Sequence, residues 1–216
     1  MGSGTLGQNK QVVVVDYGMG NVRSVAKAFE LLGAKVVISS QAKEIKQADF
    51  IVLPGVGAFA QGMANLKKLG LISGLRQAVL KNKKPFLGIC LGMQLLARDS
   101  EEFGRHKGLG WIDASVKPLE SIDKKIKVPH VGWNNIKFSA NCPFFKNIKQ
   151  DSDLYFVHSY HLVCDLASDV AATCDYGIKF TAAINRDNIF ATQFHPEKSQ
   201  AMGLKILANF LNYRHA

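Results

Sequence analysis

Short apolar runs alternate with helical stripes along the first half of the chain. The β-branched run QVVVVDYG (11–18) predicts a strand, and apolar side chains between Val22 and Leu32 recur on one helical face that Gly33 closes. Similar patterns predict strands at 34–40, 48–55 and 84–90 and a helix at 71–79. Strands separated by helices favour parallel pairing, so we predict an α/β fold: a doubly wound, mostly parallel sheet flanked by helices.

From about Leu109 the pattern changes to shorter segments rich in β-forming residues, which predicts a β-rich second half. The sequence NRDN (185–188) lies between two such segments and is typical of a hairpin turn. The chain ends with a predicted helix whose apolar face includes Leu204, Leu207 and Leu211 and whose first turn Ser199 can cap.

Three segments that follow apolar strands are expected to meet at one edge of this sheet. Ligands bind beyond the carboxyl ends of the strands in doubly wound folds, so that edge is the expected functional site. The segments are Asp16–Asn21, Pro54–Phe59 and Cys90–Gln94.

Length and composition favour one globular domain. The 216 residues fit a single α/β core, which we place at residues 11–216, with residues 1–10 as a disordered tail or a cloning remnant. Apolar residues make up 47% of the chain, yet no run approaches the roughly 18 to 20 residues that span a bilayer. We therefore expect a soluble protein without a membrane partner.

Four cysteines without CxxC spacing indicate free thiols in a reducing compartment, so we expect a cytoplasmic location. The net charge of +10 is compatible with nucleic acid, an acidic partner or an anionic metabolite. Lysines are scattered, and no basic helix or interleaved aromatic pattern accompanies them, which favours a solvated basic surface and argues against nucleic-acid binding.

Cys90 is the candidate nucleophile. It lies between Gly88 and Gly92 in G-x-C-x-G, directly after a predicted strand and before the helical composition of LGMQLLARDSEE. A sharp strand-to-helix turn presents its central side chain above the sheet, the helix start favours a thiolate, and the Leu91 amide can stabilise an oxyanion. The pentapeptide alone is equally compatible with an inert buried cysteine.

A base for this thiol is offered by QFHPEKS (193–199). His195 and Glu197 share a face if the segment is extended, so the carboxylate can orient the imidazole toward the thiol. The pair alone is also compatible with an exposed ion pair or with two metal ligands. His158 and His161, three apart on a predicted strand, point to opposite faces, and we predict no metal site.

The loop PGVGAF (54–59) is the remaining candidate backbone donor, although Pro and Gly also mark ordinary turns. GICLGMQ, followed far downstream by HPEKS, resembles the class I (triad) glutamine amidotransferases. With DYGMGN, PHVGWNN and YFVHSYH, the sequence is similar more narrowly to the glutaminase subunits of imidazole glycerol phosphate synthases, over essentially Val12 to Leu211.

The resemblance implies roles for matching positions. Cys90 would be the nucleophile, His195 the general acid and base, and Glu197 the orienting carboxylate. The remaining roles fall into three groups: the oxyanion segment Gly55, Val56, Gly57 and Leu91; glutamine binding by Gln94, Glu102, His158, Ser159 and Tyr160; and a docking face near Asn21, His130, Trp133, Tyr155 and Lys198. In this family the oxyanion strand is thought to need reorientation before it donates.

The resemblance also implies a partner. A separate (β/α)8 cyclase subunit would form a heterodimer with the chain and use the ammonia to make imidazole glycerol phosphate and AICAR in histidine biosynthesis, with no cofactor on this chain. A paralogue that feeds another synthase, such as a nucleotide-sugar amidotransferase, would carry the same triad. A catalytically silent docking module and a thiol hydrolase that acts without a partner remain further alternatives.

Overall fold

The structure is a computed structural model that describes residues 10–120, 126–139 and 142–214. The tail predicted at residues 1–10 lies outside this range except for Lys10. The Lys10 ammonium lies 5.1 Å from the centre of the Phe50 ring and donates to the Leu211 carbonyl, so this residue belongs to the folded domain.

The first half alternates strands and helices as predicted. The strands and helices in chain order are β1 (Gln11–Val15), α1 (Val22–Leu31), β2 (Lys35–Ser39), α2 (Ala42–Gln47), β3 (Phe50–Gly55), α3 (Phe59–Lys68), α4 (Leu71–Arg76), β4 (Phe86–Cys90), α5 (Leu91–Gln94), β5 (Asp99–Ser100), β6 (His106–Lys107), β7 (Ala114–Pro118), β8 (His130–Asn135), β9 (Lys137–Phe138), β10 (Asp153–His158), β11 (Tyr160–Cys164), β12 (Val170–Asp175), β13 (Lys179–Arg186), β14 (Ile189–Thr192) and α6 (Gln200–Leu211).

One large mixed sheet organises the domain, which confirms the predicted fold class. Its order is β2-β1-β3-β4-β14-β13-β11-β7-β5-β6, and β12 and β9 are added alongside β13. Pairing is parallel from β2 to β14 and largely antiparallel beyond β14, so the parallel part coincides with the alternating half of the sequence and the strand that returns to it. A separate antiparallel ribbon pairs β8 with β10.

The two faces of the sheet bury two apolar cores. Val12 and Val14 of β1 enter one core and Val13 and Val15 the other, because successive side chains of a strand point to opposite faces. The first core includes the packed rings of Phe29 on α1 and Phe210 on α6, while the second is covered by α2, α3 and α4. Both faces are therefore covered, as a doubly wound sheet requires.

The structure corrects two helix predictions. The helix expected after Cys90 is a single α-helical turn, because the carbonyls of Leu95, Leu96 and Ala97 accept from backbone amides at 109–112 instead of continuing the helix. Ser199 stands at the start of α6 without capping it, and its hydroxyl donates to the His195 carbonyl at 2.6 Å. In the described part of the chain, no helix has the length and apolar character needed to cross a membrane.

The second half is β-rich, as predicted. The hairpin turn lies at Asp187 and Asn188, between paired residues Arg186 and Ile189. The segment that holds His158 and His161 is two strands rather than one, because the chain leaves the β8–β10 ribbon at Ser159 and enters the large sheet as β11.

Candidate active site

Cys90 lies at the end of β4 in a strained backbone conformation. Its φ of +54° and ψ of −108° are rare for a residue that carries a Cβ. A Cβ on Gly88 would lie 2.7 Å from the Gly92 carbonyl oxygen, and a Cβ on Gly92 would lie 1.8 Å from the Leu53 carbonyl oxygen. The two glycines are therefore required for the turn that presents the thiol at the edge of the sheet.

The one-turn length of α5 changes the electrostatic argument for this thiol. A short helix aligns few peptide dipoles, so its field at the sulfur is weaker than the field expected from a long helix. The charge that acts on Cys90 must come mainly from a neighbouring side chain.

His195 and Glu197 are that neighbouring pair. The imidazole Nδ1 donates to Glu197 Oε1 at 2.8 Å, and both side chains are buried. The contact forms because Pro196–Lys198 is a 3₁₀ turn, not because the segment is extended as predicted. With Nδ1 held by the carboxylate, Nε2 is the nitrogen left for the thiol, and it makes no hydrogen bond of normal geometry to a described residue.

The pKa of His195 shows that its charged form is favoured. Burial lowers this pKa, but the neighbouring Cys90 sulfur and the Glu197 carboxylate outweigh burial and raise it to about 10. The thiol group itself points to the Val157 carbonyl oxygen, 3.8 Å away, so Cys90 and His195 interact without a well-formed hydrogen bond. The imidazole is therefore suited to hold a proton beside the Cys90 sulfur at neutral pH.

Gln193 is a site residue that the sequence analysis missed. It is fully buried, and its Nε2 donates to Cys90 Sγ at 3.6 Å while its Oε1 accepts from Gln94 Nε2 at 3.1 Å. Its position two residues before His195 was the available signal, since such positions share a face in an extended segment. Gln193 thus connects the candidate nucleophile to a candidate substrate-binding residue.

A cavity of about 390 Å³ opens directly above Cys90. The three segments predicted to converge do so: Gly55 pairs with Cys90 across β3 and β4, and a Cβ on Gly20 would lie 3.1 Å from the Gly55 Cα. The lining residues are Val56, Gly57, Ala58, Cys90, Leu91, Gln94, Glu102, Phe103, Pro129, Val157, His158, Ser159 and Tyr160. All five predicted glutamine-binding residues are among them.

Gln94 and Glu102 both line this cavity, and each is held in place by a backbone group. Gln94 Nε2 donates to the Tyr160 carbonyl at 2.9 Å, and a Glu102 carboxylate oxygen accepts from the Phe59 amide at the start of α3. A fixed amide and a fixed carboxylate suit the polar end of an amino-acid ligand.

His158 and His130 form a buried hydrogen-bonded pair behind the cavity. His158 Nδ1 donates to the Tyr160 carbonyl at 2.9 Å, so its Nε2 accepts from His130 Nδ1 at 3.0 Å. Burial lowers the pKa of His130 to about 4 and that of His158 to about 3, which keeps both rings neutral. His130 is only 2% exposed, so its side chain lies inside the domain rather than on the expected docking face.

The other histidine of this motif, His161, is buried elsewhere. It lies on β11 in the large sheet, whereas His158 ends the β8–β10 ribbon. Over the described ranges of the chain, no group of three His, Cys, Asp or Glu side chains is arranged to hold a metal ion.

The loop 54–57 separates the large cavity from a smaller one. The smaller cavity, of about 20 Å³, is lined by Asn21, Val25, Pro54, Gly55, Val56, His195, Glu197 and Lys198. Gly57 has a φ of +101°, and Val56 is 42% exposed. Val56 thus lies between two glycines at an accessible position, whereas Pro54 and Gly55 are the buried end of β3.

A surface patch lies beside the small cavity. Trp133 is 47% exposed and packs edge-on against Tyr155 with ring centres 5.9 Å apart, while the Lys198 ammonium lies 5.7 Å from the Tyr155 ring centre. The Tyr155 carbonyl accepts from the His195 amide at 2.9 Å, so the patch is bonded directly to the candidate base. Asn21 is also exposed, and its side chain caps α1 by accepting from the Ser24 amide at 3.1 Å.

Known proteins match the chain over nearly its whole length. The family described as glutamine amidotransferase class-I matches residues 13–213. Imidazole glycerol phosphate synthase subunit HisH 1 of Campylobacter jejuni (strain RM1221) is 48% identical over 200 residues, which cover 93% of this chain and 98% of the relative. Subunit HisH 2 of Methanococcus maripaludis is 44% identical with the same coverage of both chains.

Solved structures support the fold. A protein of Thermoplasma acidophilum that is described as a GMP synthase component superposes with a TM-score of 0.71 at 21% identity, covering 94% of this chain and 92% of that one. PurLQS of Thermotoga maritima gives a TM-score of 0.69 at 18% identity and covers 94% of this chain and 98% of its own. The chain belongs to the class-I glutamine amidotransferase family and, within it, to the HisH subunits of imidazole glycerol phosphate synthase.

Proposed function

We propose that the chain hydrolyses glutamine to glutamate and ammonia at Cys90 and passes the ammonia to a separate (β/α)8 cyclase subunit, which makes imidazole glycerol phosphate and AICAR. One arrangement carries the proposal. A strained Cys90 faces a cavity of amino-acid size, and the buried His195–Glu197 pair lies beside this cysteine. The pKa of His195 in this pair is about 10. This combination supports nucleophilic catalysis by a thiolate with a proton held nearby.

In the first half of the reaction, the Cys90 thiolate attacks the carboxamide carbon of glutamine and the carbonyl π electrons move to oxygen. The oxyanion is stabilised by the Leu91 amide and by an amide of the 55–57 segment. His195 gives its proton to the amide nitrogen, and the C–N bond breaks to release ammonia and leave a γ-glutamyl thioester. Each well-placed oxyanion donor is worth about 3–4 kcal/mol, so both are needed for fast turnover.

In the second half, the now neutral His195 removes a proton from water, and the hydroxide attacks the thioester carbon. The C–S bond breaks, glutamate leaves, and Cys90 returns as the thiolate beside protonated His195. Gln94 and Glu102 hold the α-amino and α-carboxylate end of the substrate, aided by His158, Ser159 and Tyr160, which line the same cavity. Gln193 keeps the sulfur and Gln94 in a fixed relation through its two hydrogen bonds.

The cyclase is proposed to dock on the patch of Trp133, Tyr155 and Lys198, with Asn21 at its edge. Exposed aromatic groups beside a cation are typical of the centre of an interface. The patch is one hydrogen bond from His195, so docking acts directly on the frame of the active site. A cytoplasmic location is part of the same proposal.

A second candidate has the same chemistry and a different partner. Several relatives carry numbered names, such as HisH 1 and HisH 2, which indicates that more than one copy of the subunit occurs in some organisms. Binding to a cyclase of histidine biosynthesis, measured against binding to the synthase component of a nucleotide-sugar amidation system, separates the two.

The decisive experiment measures glutamate release by the chain alone and with the cyclase and its ligand. We expect low activity alone and a large increase in the complex; high activity that the partner leaves unchanged contradicts gating and favours an independent thiol hydrolase.

Cys90→Ala should abolish glutamate release while cyclisation fed with ammonium persists, and loss of both would mean that Cys90 is structural. Stoichiometric labelling of Cys90 by a glutamine-analogue electrophile excludes a silent docking module.

A further inference from the structure

Tyr17 carries a buried hydroxyl that no described residue satisfies. Its side chain is 1% exposed and lies among apolar residues of the core beneath the loop 54–57. Native proteins pair almost all buried polar groups, and an unpaired one calls for a specific explanation. The hydroxyl therefore points to a second state of the molecule in which it finds a partner.

The loop 54–57 is the polar segment that the hydroxyl touches. A Cβ built on Gly55 would lie 2.1 Å from the Tyr17 hydroxyl oxygen, so this oxygen is in contact with the Gly55 backbone. Gly20 also approaches the Gly55 backbone closely. The loop contains glycine on both sides of Val56, and Gly57 already has a φ of +101°, so its peptides can rotate without the strain that side chains would impose.

We infer that Tyr17 is a positioning residue for the oxyanion loop, whose hydroxyl donates to the Gly55 carbonyl when the Gly55–Val56 peptide turns over. The inference rests on the proposed function and assigns a cause to the active orientation of the loop.

The geometry of a trans peptide couples the direction of the Gly55 carbonyl to that of the Val56 amide. Its C=O and N–H point to opposite sides, so a carbonyl directed at Tyr17 directs the Val56 amide the other way. Val56 is part of the lining of the cavity above Cys90, whereas Tyr17 is outside that lining and packs in the core against the Gly55 backbone. The hydroxyl thus selects the orientation in which the loop supplies its oxyanion donor.

The hydroxyl is also suited to act as a donor. Burial, reinforced by the nearby Cys90 charge, raises the pKa of Tyr17, so the phenol keeps its proton over the whole working range of pH. Because a carbonyl only accepts hydrogen bonds, a permanently protonated phenol is the right partner for it.

Tyr17→Phe tests the inference because it removes the hydroxyl and keeps the ring. Tyr213→Phe is the matched control, since Tyr213 packs on Phe190 on the opposite face of the sheet. Glutamine hydrolysis is measured in the complex with the cyclase and its ligand, and thermal unfolding and iodoacetamide alkylation of Cys90 are measured on the free chain.

We expect kcat in the complex to fall about tenfold, because the active loop orientation loses the hydrogen bond that selects it. KM should stay within about twofold, because Gln94 and Glu102 are untouched. The free chain should unfold at the same or a higher temperature, since an unpaired buried hydroxyl is removed, and the alkylation rate should not change.

An unchanged kcat in Tyr17→Phe would overturn the inference. So would a lower unfolding temperature together with altered KM and alkylation, which would indicate a structural role. A wild-type complex that releases no glutamate would instead contradict the proposed function itself. Tyr213→Phe should match wild type in kcat and KM in the complex.

Discussion

The two sides of the cavity above Cys90 are built differently. On the nucleophile side, backbone atoms leave no room for a side chain at Gly88 or Gly92, and the His195–Glu197 pair is buried with a 2.8 Å hydrogen bond. On the loop side, Val56 is exposed, and the Tyr17 hydroxyl behind it lacks a partner among the described residues. The nucleophile side allows a single arrangement of its backbone and side chains, whereas the loop side has space for two orientations of the loop.

This difference assigns the chemical step to the fixed side of the cavity and the control of its rate to the loop side. In the proposed mechanism, packing fixes the Cys90 turn and the His195–Glu197 pair before the reaction, so only the thiol has to turn from the Val157 carbonyl. Preorganisation of this kind lowers a barrier. A loop that can present or withdraw one oxyanion donor changes the rate by orders of magnitude without disturbing the triad. Asn21 and Lys198, at the proposed docking patch, line the small cavity together with Val56, so a partner bound there is suited to act on the loop side.

The largest expected effect comes from Glu197→Gln, which removes the negative charge beside His195 on the fixed side of the cavity. The shape of the side chain at position 197 stays the same. The pKa of His195 should fall well below about 10, because burial lowers it and one of the two opposing groups is neutralised. Glutaminase kcat should fall about 10³- to 10⁴-fold, as when the orienting acid of a triad is made neutral. Histidine NMR titration and steady-state kinetics measure the two effects.

The same variant has a defined pH signature. Because the folded pKa of His195 is raised above its ordinary value of 6.5, its protonation stabilises the fold fully below pH 6.5, and this contribution is lost as pH rises through about 10. Wild type should therefore lose stability over that window more steeply than Glu197→Gln. Parallel stability curves for the two proteins would contradict the assigned origin of the shift.

Gly92→Ala should have the next largest effect, because the new Cβ would lie 1.8 Å from the Leu53 carbonyl oxygen. Neither backbone segment can move without displacing β3 or α5, so we expect the free energy of unfolding to drop by about 3 kcal/mol or more. Chemical denaturation measures it.

Gly57→Ala is the matched variant on the loop side. Its Cβ would meet the flexible end of Met19 at 3.1 Å, and the remaining cost is the strain of a φ of +101°. We expect a loss of about 1 kcal/mol. Equal losses for the two alanine variants would remove the contrast between the two sides.

The sequence predicted the parallel half of the fold well because its strands are short apolar runs whose spacing is a local property. It failed where tertiary contacts decide the structure. The segment after Cys90 has helical composition, yet the carbonyls of Leu95 and Leu96 pair with amides near residue 110, and no local pattern reveals that competition. The short helix α2, with Ile45 as its one buried side chain, left too weak a stripe to detect.

The candidate site also divides into residues that a local sequence pattern marks and residues that only tertiary contacts reveal. Cys90, His195 and Glu197 are marked by motifs that a short stretch of sequence contains. Gln193 and Tyr17 act through groups far away in the chain. The place of Gln193 two residues before His195 indicates a shared face with His195, but it does not indicate contact with Cys90, 103 residues away. Residues that act through backbone or through another side chain become visible only when the distances are known.

The last prediction concerns Gln193, which connects the proposed nucleophile to the substrate side of the cavity. Gln193→Leu removes both of its hydrogen bonds, so kcat/KM should fall about 10- to 100-fold. Gln193→Glu keeps an acceptor for Gln94 but exchanges the donor to the sulfur for a buried carboxylate, so it should lower kcat and leave KM near wild type. Gln61→Leu, on the exposed face of α3, is the control. If both Gln193 variants raise KM alone, Gln193 serves substrate binding and does not act on the thiolate.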